Sequence, residues 1–117
     1  MKVEVVKASY LNEQHKHDIP MLLNEYSLDP MGGGQALSED VKVNLVNELS
    51  KLPHAFTVIA YIDNQPAGLI NCFEGFSTFS CKPLINVHDV IVLKQYRGNN
   101  ISQVMLKEVE KIARAKG

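Results

Sequence analysis

The stretch from Val90 to Ser102 constrains the fold more than any other part of the chain. A β-branched run, Val90-Ile91-Val92, reads as a strand buried on both faces. It leads into a short polar turn, Lys94 to Asn100, and then into a helix from Ile101 onward. In that helix Val104, Met105, Val109, Ile112 and Ala113 share one face, with Lys107, Glu108, Lys111 and Arg114 opposite. The first amides of such a helix have no internal partners, and the macrodipole gathers partial positive charge there. Loop amides that curl inward before it make a seat for phosphate oxygens. Gly98 permits the curl, and Asn99 and Asn100 tolerate left-handed geometry. The Gly-Lys-Ser/Thr ending of a Walker loop is absent. A plain strand-to-helix connection is the alternative reading of the same residues.

The remaining elements are assigned by periodicity. Lys2 to Ser9 alternates Val3 and Val5 with Glu4 and Lys7, a half-exposed strand. Leu11 to Tyr26 is helical, with Ile19, Leu22, Leu23 and Tyr26 on one face, and Pro20 predicts either a kink or a true start near Asp18. Asp29-Pro30 and Gly32-Gly33-Gly34 form a loop. Ser38, Glu39 and Asp40 start a second helix with an apolar stripe of Val41, Leu45, Leu49 and Leu52, stopped by Pro53. A hairpin follows: Phe56 to Ile62, a turn at Asp63-Asn64-Gln65, then Ala67 to Phe73. Phe76 to Pro83 reads as a loop and Leu84 to Leu93 as the last strand. This order predicts an α+β domain over residues 1–117, with helices packed on both faces of a sheet. Gly117 sits where a helix C-cap glycine precedes a returning strand, so the domain is expected to be cut short at its C-terminal end.

Composition narrows the function classes. The formal charge of −1, with 12 basic against 13 acidic residues, leaves no basic excess for nucleic acid or for a polybasic membrane contact. No apolar run approaches the ~20 residues that span a bilayer, and the first residues lack the apolar core of a signal peptide. Cys72 and Cys81 fit neither a zinc-ligand spacing nor a disulfide framework, so a reduced, cytoplasmic protein without a metal is expected.

The block His88-Asp89-Val90-Ile91-Val92-Leu93-Lys94-Gln95-Tyr96-Arg97-Gly98, with the amphipathic helix after it, resembles motif A of the GNAT (Gcn5-related) N-acetyltransferases. Asp29-Pro30-Met31-Gly32-Gly33-Gly34 and Phe76-Ser77-Thr78-Phe79 also resemble pieces of bacterial members, so the resemblance covers essentially the whole chain. It implies a GNAT-like mixed, mostly antiparallel sheet and transfer of an acetyl group from acetyl-CoA, the co-substrate, to a small-molecule or peptide amine. In the family, loop amides in the pattern Arg/Gln-x-x-Gly-x-Gly/Ala hold the pyrophosphate. Here that pattern falls on Arg97, Gly98, Asn99, Asn100, Ile101 and Ser102, with Asn100 in place of a glycine and Ser102 in place of the small residue. The resemblance further implies that main-chain groups of Val90, Ile91 and Val92 align the pantetheine arm, and that the strand's amides, notably Val92, polarise the thioester carbonyl. Members continue with a splayed strand and a helix that often brings a tyrosine acid, and this sequence has neither. An uncovered strand 84–93 is therefore expected to pair with a second copy, as a homodimer or swapped assembly. A non-catalytic binding or assembly module of the same fold is the rival reading.

His88 is the candidate general base, since a neutral imidazole near pH 7 accepts an amine proton directly or through water. Alternation along a strand predicts Asp89 on the opposite face, in a structural pair or as a second candidate base. His15 and His17 are two apart, a poor metal pair expected to be solvated, and His54 carries no signal. Cys72 reads as a small buried hydrophobe and Cys81 as a loop thiol open to reaction, with no neighbour in the sequence to activate it. The glycine loop 32–34 is either a lid beside the acceptor or an idle connection. Tyr26 and the group Phe73, Phe76 and Phe79 either line an acceptor pocket or pack structurally, and Glu74 is a candidate for amine recognition.

Overall fold

In the computed structural model residues 2–115 are described, apart from the side chain of Met31, so Gly117 and its expected cap lie outside the described residues. Four strands, β1 (Val3–Lys7), β2 (Ala55–Ile62), β3 (Gln65–Ser77) and β4 (Lys82–Val92), pair in the order β1-β2-β3-β4. Every pairing is antiparallel. Helices α1 (Glu13–Leu28) and α2 (Glu39–Ser50) cover one face and α3 (Ile101–Ala115) covers the other.

The strand period of two sorts β2 between the two layers. Phe56, Val58, Ala60 and Ile62 pack with Ile70, Ile101, Met105 and Val109 beneath α3. Ile59 and Tyr61 pack with Leu69, Ile91, Ile19, Leu22 and Val46 beneath α1 and α2. At Gly68 β3, β4 and α3 leave no room for a side chain: a Cβ there would run into the Ile91 carbonyl oxygen and lie 3.1 Å from Met105 Cε.

Several expectations are corrected. Of the two readings of Pro20, the start near Asp18 is overturned: helix α1 begins at Glu13 and includes Pro20, and Asn12 caps it, its Oδ1 accepting from the His15 N–H at 3.0 Å. Packing of Ile19 and Leu22 outweighs the one hydrogen bond that the proline removes. Helix α2 is capped by Ser38 as expected and buries Val46 and Leu49, but it leaves Val41 exposed and ends at Ser50, so Leu52 lies beyond it and is also exposed. Residues 30–32 close one 3-10 turn, and positive φ angles follow at Gly33 and Gly34.

The expected loop from Phe76 to Pro83 is instead a continuation of the hairpin, with Phe76 opposite Pro83 and the turn confined to residues 78–81. Both faces of that extension are exposed, so apolar alternation does not mark it and the cross-strand ladder holds it. The largest revision concerns β4. It is an edge strand, and Val90 is 44% exposed where burial on both faces was expected. Only Ile91 is fully buried in that triplet; Val92 is half-buried.

Candidate functional site

The C-terminal end of β4 and the turn after it place Val90, Val92 and the loop from Arg97 to Asn100 along the open side of the sheet, whereas Ile91, expected to align the pantetheine arm with them, is buried, as is the side chain of Ile101. Leu93 N–H donates to Ala67 O at 2.8 Å across the Gly68–Val92 pair, which makes that pair the non-hydrogen-bonded kind. The ladder alternates, so Ile91 directs its N–H and C=O at β3, while Val90 and Val92 direct theirs to the open edge. The Val92 carbonyl accordingly accepts the Arg97 Nε–H at 3.1 Å.

Beyond the edge, Lys94–Tyr96 makes a 3-10 turn, and the backbone curls through Gly98 at φ 89° and Asn100 at φ 59°. Asn99 braces the curl by donating its Nδ2–H to Tyr96 O at 3.0 Å. The Asn100 carbonyl accepts the first helical bond, from Val104 N–H at 3.1 Å. Among the described residues the intervening N–H groups, from Gly98 to Gln103, have no backbone partner. They border an open cleft of about 230 Å³ lined by Val92, Tyr96, Arg97, Asn100 and Ser102 among others. A Cβ at Gly98 would meet nothing within 4 Å, so the loop faces clear space. Unpaired amides, a helix N-terminus and one guanidinium suit a diphosphate. Arg97 is held from both sides, by the Val92 carbonyl and by Asp29, whose Oδ2 lies 3.5 Å from Nη2.

The candidate base sits at a break in the sheet register. Asn71 pairs with Asp89 and Cys72 with Val87, which leaves His88 as the extra residue of a β-bulge. Asn71 and Phe73, two apart on β3, share the face covered by α1 and α2. The His88 ring meets Phe73 edge-on, centroids 5.6 Å apart, and Asp89 Oδ2 accepts from Asn71 Nδ2–H at 3.0 Å. The bulge therefore turns His88 and Asp89 to the same face, against the expectation of opposite faces. His88 is exposed and Asp89 half-buried.

The other candidates scatter. Phe79 is fully exposed in its turn, Phe76 is 59% exposed, and only Phe73 joins the site, between the rings of His54 and His88. Tyr26 packs at the rim of the α1–α2 core. His15 accepts the Ser9 N–H through Nδ1 and lies near Tyr61, so it is not simply solvated. Cys72 is fully buried, its thiol pushed up to about 11 by desolvation, and Cys81 is exposed. No group of three or more metal-ligating side chains occurs among the described residues, and no helix there is long and apolar enough to cross a membrane. Sequence reading overlooked Tyr10, Thr57 and Asn71, which join Asp89 in one chain of hydrogen bonds that is buried at its centre, between Thr57 and Asn71. A threonine and an asparagine inside otherwise apolar strands were the available signal.

Comparison with known proteins gives this architecture its class. A sequence model of the Acetyltransferase (GNAT) family matches residues 19–117. The chain belongs to the GNAT acetyltransferase family. No curated protein matches it. Among solved structures, an aminoglycoside acetyltransferase from an uncultured soil metagenomic sample, in complex with sisomicin, superimposes with a TM-score of 0.80 at 13% identity, covering 98% of this chain and 72% of that one. An integron cassette protein from the mobile metagenome of V. cholerae gives 0.78 at 19% identity, covering 98% and 70%. A ribosomal-protein-alanine N-acetyltransferase from Brucella melitensis biovar Abortus 2308 gives 0.76 at 14% identity, covering 97% and 73%. At these identities the likeness is one of fold.

Proposed function

We propose that the chain is an N-acetyltransferase that takes acetyl-CoA along the open edge of β4 and passes the acetyl group to an amine. The observation that carries this reading is the run of unpaired amides from Gly98 to Gln103, placed directly after a strand edge whose Val90 and Val92 main-chain groups face outward. When bound, acetyl-CoA supplies the thioester carbon that the amine attacks. The loop from Arg97 to Ser102 holds the diphosphate by amides and one guanidinium. Main-chain groups of β4 align the pantetheine arm, and the outward Val92 N–H is the donor for the thioester carbonyl oxygen. The amine nitrogen bonds to the acetyl carbon as the carbon–sulfur bond breaks, and the sulfur leaves as thiolate. His88, exposed beside Phe73, accepts the amine proton.

Two free thiols and the lack of a membrane-crossing helix among the described residues support a cytoplasmic setting. The open β4 edge, with Val87 and Val90 exposed, supports pairing with a second copy, which light scattering tests directly. The catalytic reading is tested by titrating acetyl-CoA calorimetrically and then following release of the CoA thiol against a panel of amines. Micromolar binding and amine-dependent thiol release are expected. A folded chain that gives no heat with acetyl-CoA overturns the assignment.

A further inference from the structure

The face that carries His88 also carries a polar chain, buried at its centre, that no packing argument requires. Thr57 is fully buried and Asn71 is 5% exposed, each among apolar strand residues. Tyr10 Oη lies 2.8 Å from Thr57 Oγ1, Thr57 Oγ1 lies 2.7 Å from Asn71 Oδ1, and Asn71 Nδ2 lies 3.0 Å from Asp89 Oδ2. The chemistry at its end sets every proton in it. An ionised carboxylate only accepts, so the Asn71 amide turns its NH2 to Asp89 and its oxygen to Thr57. Thr57 spends its one proton on Asn71, which makes Tyr10 the donor to Thr57. Burial pushes the Tyr10 phenol up, so it stays a donor through neutral pH. Three successive donors thus point at Asp89. Among the described residues its other oxygen, Oδ1, has no hydrogen-bond partner.

We propose that Tyr10, Thr57 and Asn71 are positioning residues that hold Asp89 as an oriented carboxylate, and that Asp89 Oδ1 receives the acceptor amine in its protonated, alkylammonium form. Buried polar chains stabilise a fold poorly for what they demand, and an apolar trio of the same shape would serve packing as well. An oriented carboxylate beside an exposed imidazole and the Phe73 ring fits a primary ammonium: ion pairing at Asp89, contact with the ring, and His88 within the same bulge to take the first proton, the second passing to the departing thiolate as the amide forms. This inference rests on the acetyltransferase reading for its purpose, but its test does not involve acetyl-CoA, so the two fail separately.

The test uses n-butylammonium and its neutral counterpart 1-butanol as probes. Both are titrated into the isotope-labelled full chain while the Asn71 side-chain NH2 and the His88 and Asp89 amides are followed by NMR. Butylammonium is expected to shift these signals saturably and butanol to leave them unmoved. Asp89→Asn keeps an acceptor for Asn71 and is expected to weaken butylammonium by about tenfold or more, the loss of one charge-assisted contact. Thr57→Val preserves volume and is expected to weaken it about threefold by breaking the chain, with Thr57→Ser restoring it. A merely structural role for Thr57 does not predict that rescue. Equal response to butanol overturns the proposal, as does undiminished binding by Asp89→Asn or by Thr57→Val in folded protein.

Discussion

Arg97 and Asp29 join the end of β4 to the end of α1: Nη2 lies 3.5 Å from Oδ2, while Nε donates to the Val92 carbonyl at 3.1 Å. The contact ties the loop proposed to hold diphosphate to the glycine turn at residues 32–34, since the Gly32 and Gly34 N–H groups both donate to Asp29 O, at 2.8 and 3.1 Å. Arg97→Ala is expected to weaken acetyl-CoA at least about tenfold, as one charge-assisted phosphate contact is lost. Asp29→Asn removes a competing negative charge and is expected to tighten binding about two- to threefold at low salt, an effect that fades at high salt. Calorimetric titrations at two ionic strengths check both.

Gly68 has no room for a side chain. With the Ile91 carbonyl and Met105 Cε in the way, Gly68→Ala forces β4 or α3 outward and is expected to destabilise by about 1–3 kcal/mol. An unchanged urea midpoint would mean that the edge strand yields without penalty.

Asn100 holds φ 59°, a left-handed conformation that β-branched residues resist. Asn100→Val is expected to lower stability by about 1–2 kcal/mol and to weaken acetyl-CoA with it, whereas Asn100→Gly keeps both. Thermal melts paired with acetyl-CoA titration separate the two variants.

Asp18 is 4% exposed in α1, where Tyr61 donates its phenol proton to Oδ2 at 2.7 Å and His17 Nδ1 lies 3.1 Å from Oδ1. Tyr61→Phe leaves a buried carboxylate short of one partner and is expected to cost about 2 kcal/mol by chemical denaturation. A loss below about 0.5 kcal/mol would show that His17 satisfies Asp18 alone.

Burial raises the Cys72 thiol from 9.0 to about 11. The folded chain therefore keeps this proton at higher pH than the unfolded chain does, and stability is intact below pH 9.0 but falls as pH climbs towards about 11. Urea midpoints at several alkaline pH values are expected to show this fall, and Cys72→Ala to lessen it. Iodoacetamide at neutral pH is expected to label Cys81 and spare Cys72 until the chain unfolds.

Local sequence determined the order of elements, the Ser38 cap, the Asp63–Asn64 hairpin turn and the strand–turn–helix after β4. Each of these is decided within a few residues, by capping chemistry, by positive φ at asparagine and aspartate, or by the periodicity of apolar side chains. What a strand faces is not decided that way. Val90-Ile91-Val92 is as apolar as a central strand, yet β4 lies at the edge, because sheet order follows from which strands pair across long separations.

The site depended still more on tertiary structure. A bulge exists only as a mismatch between two strands, so nothing within His88-Asp89 announces that both side chains turn to one face. The chain from Tyr10 through Thr57 and Asn71 to Asp89 joins a loop to three different strands, and its members stand 47, 14 and 18 residues apart. The sequence on its own placed the candidate diphosphate loop, because an anion seat built of consecutive amides is local. His88 and Asp89 were legible as candidates, but the arrangement proposed to receive the acceptor depends on cross-strand register, which only the folded sheet supplies.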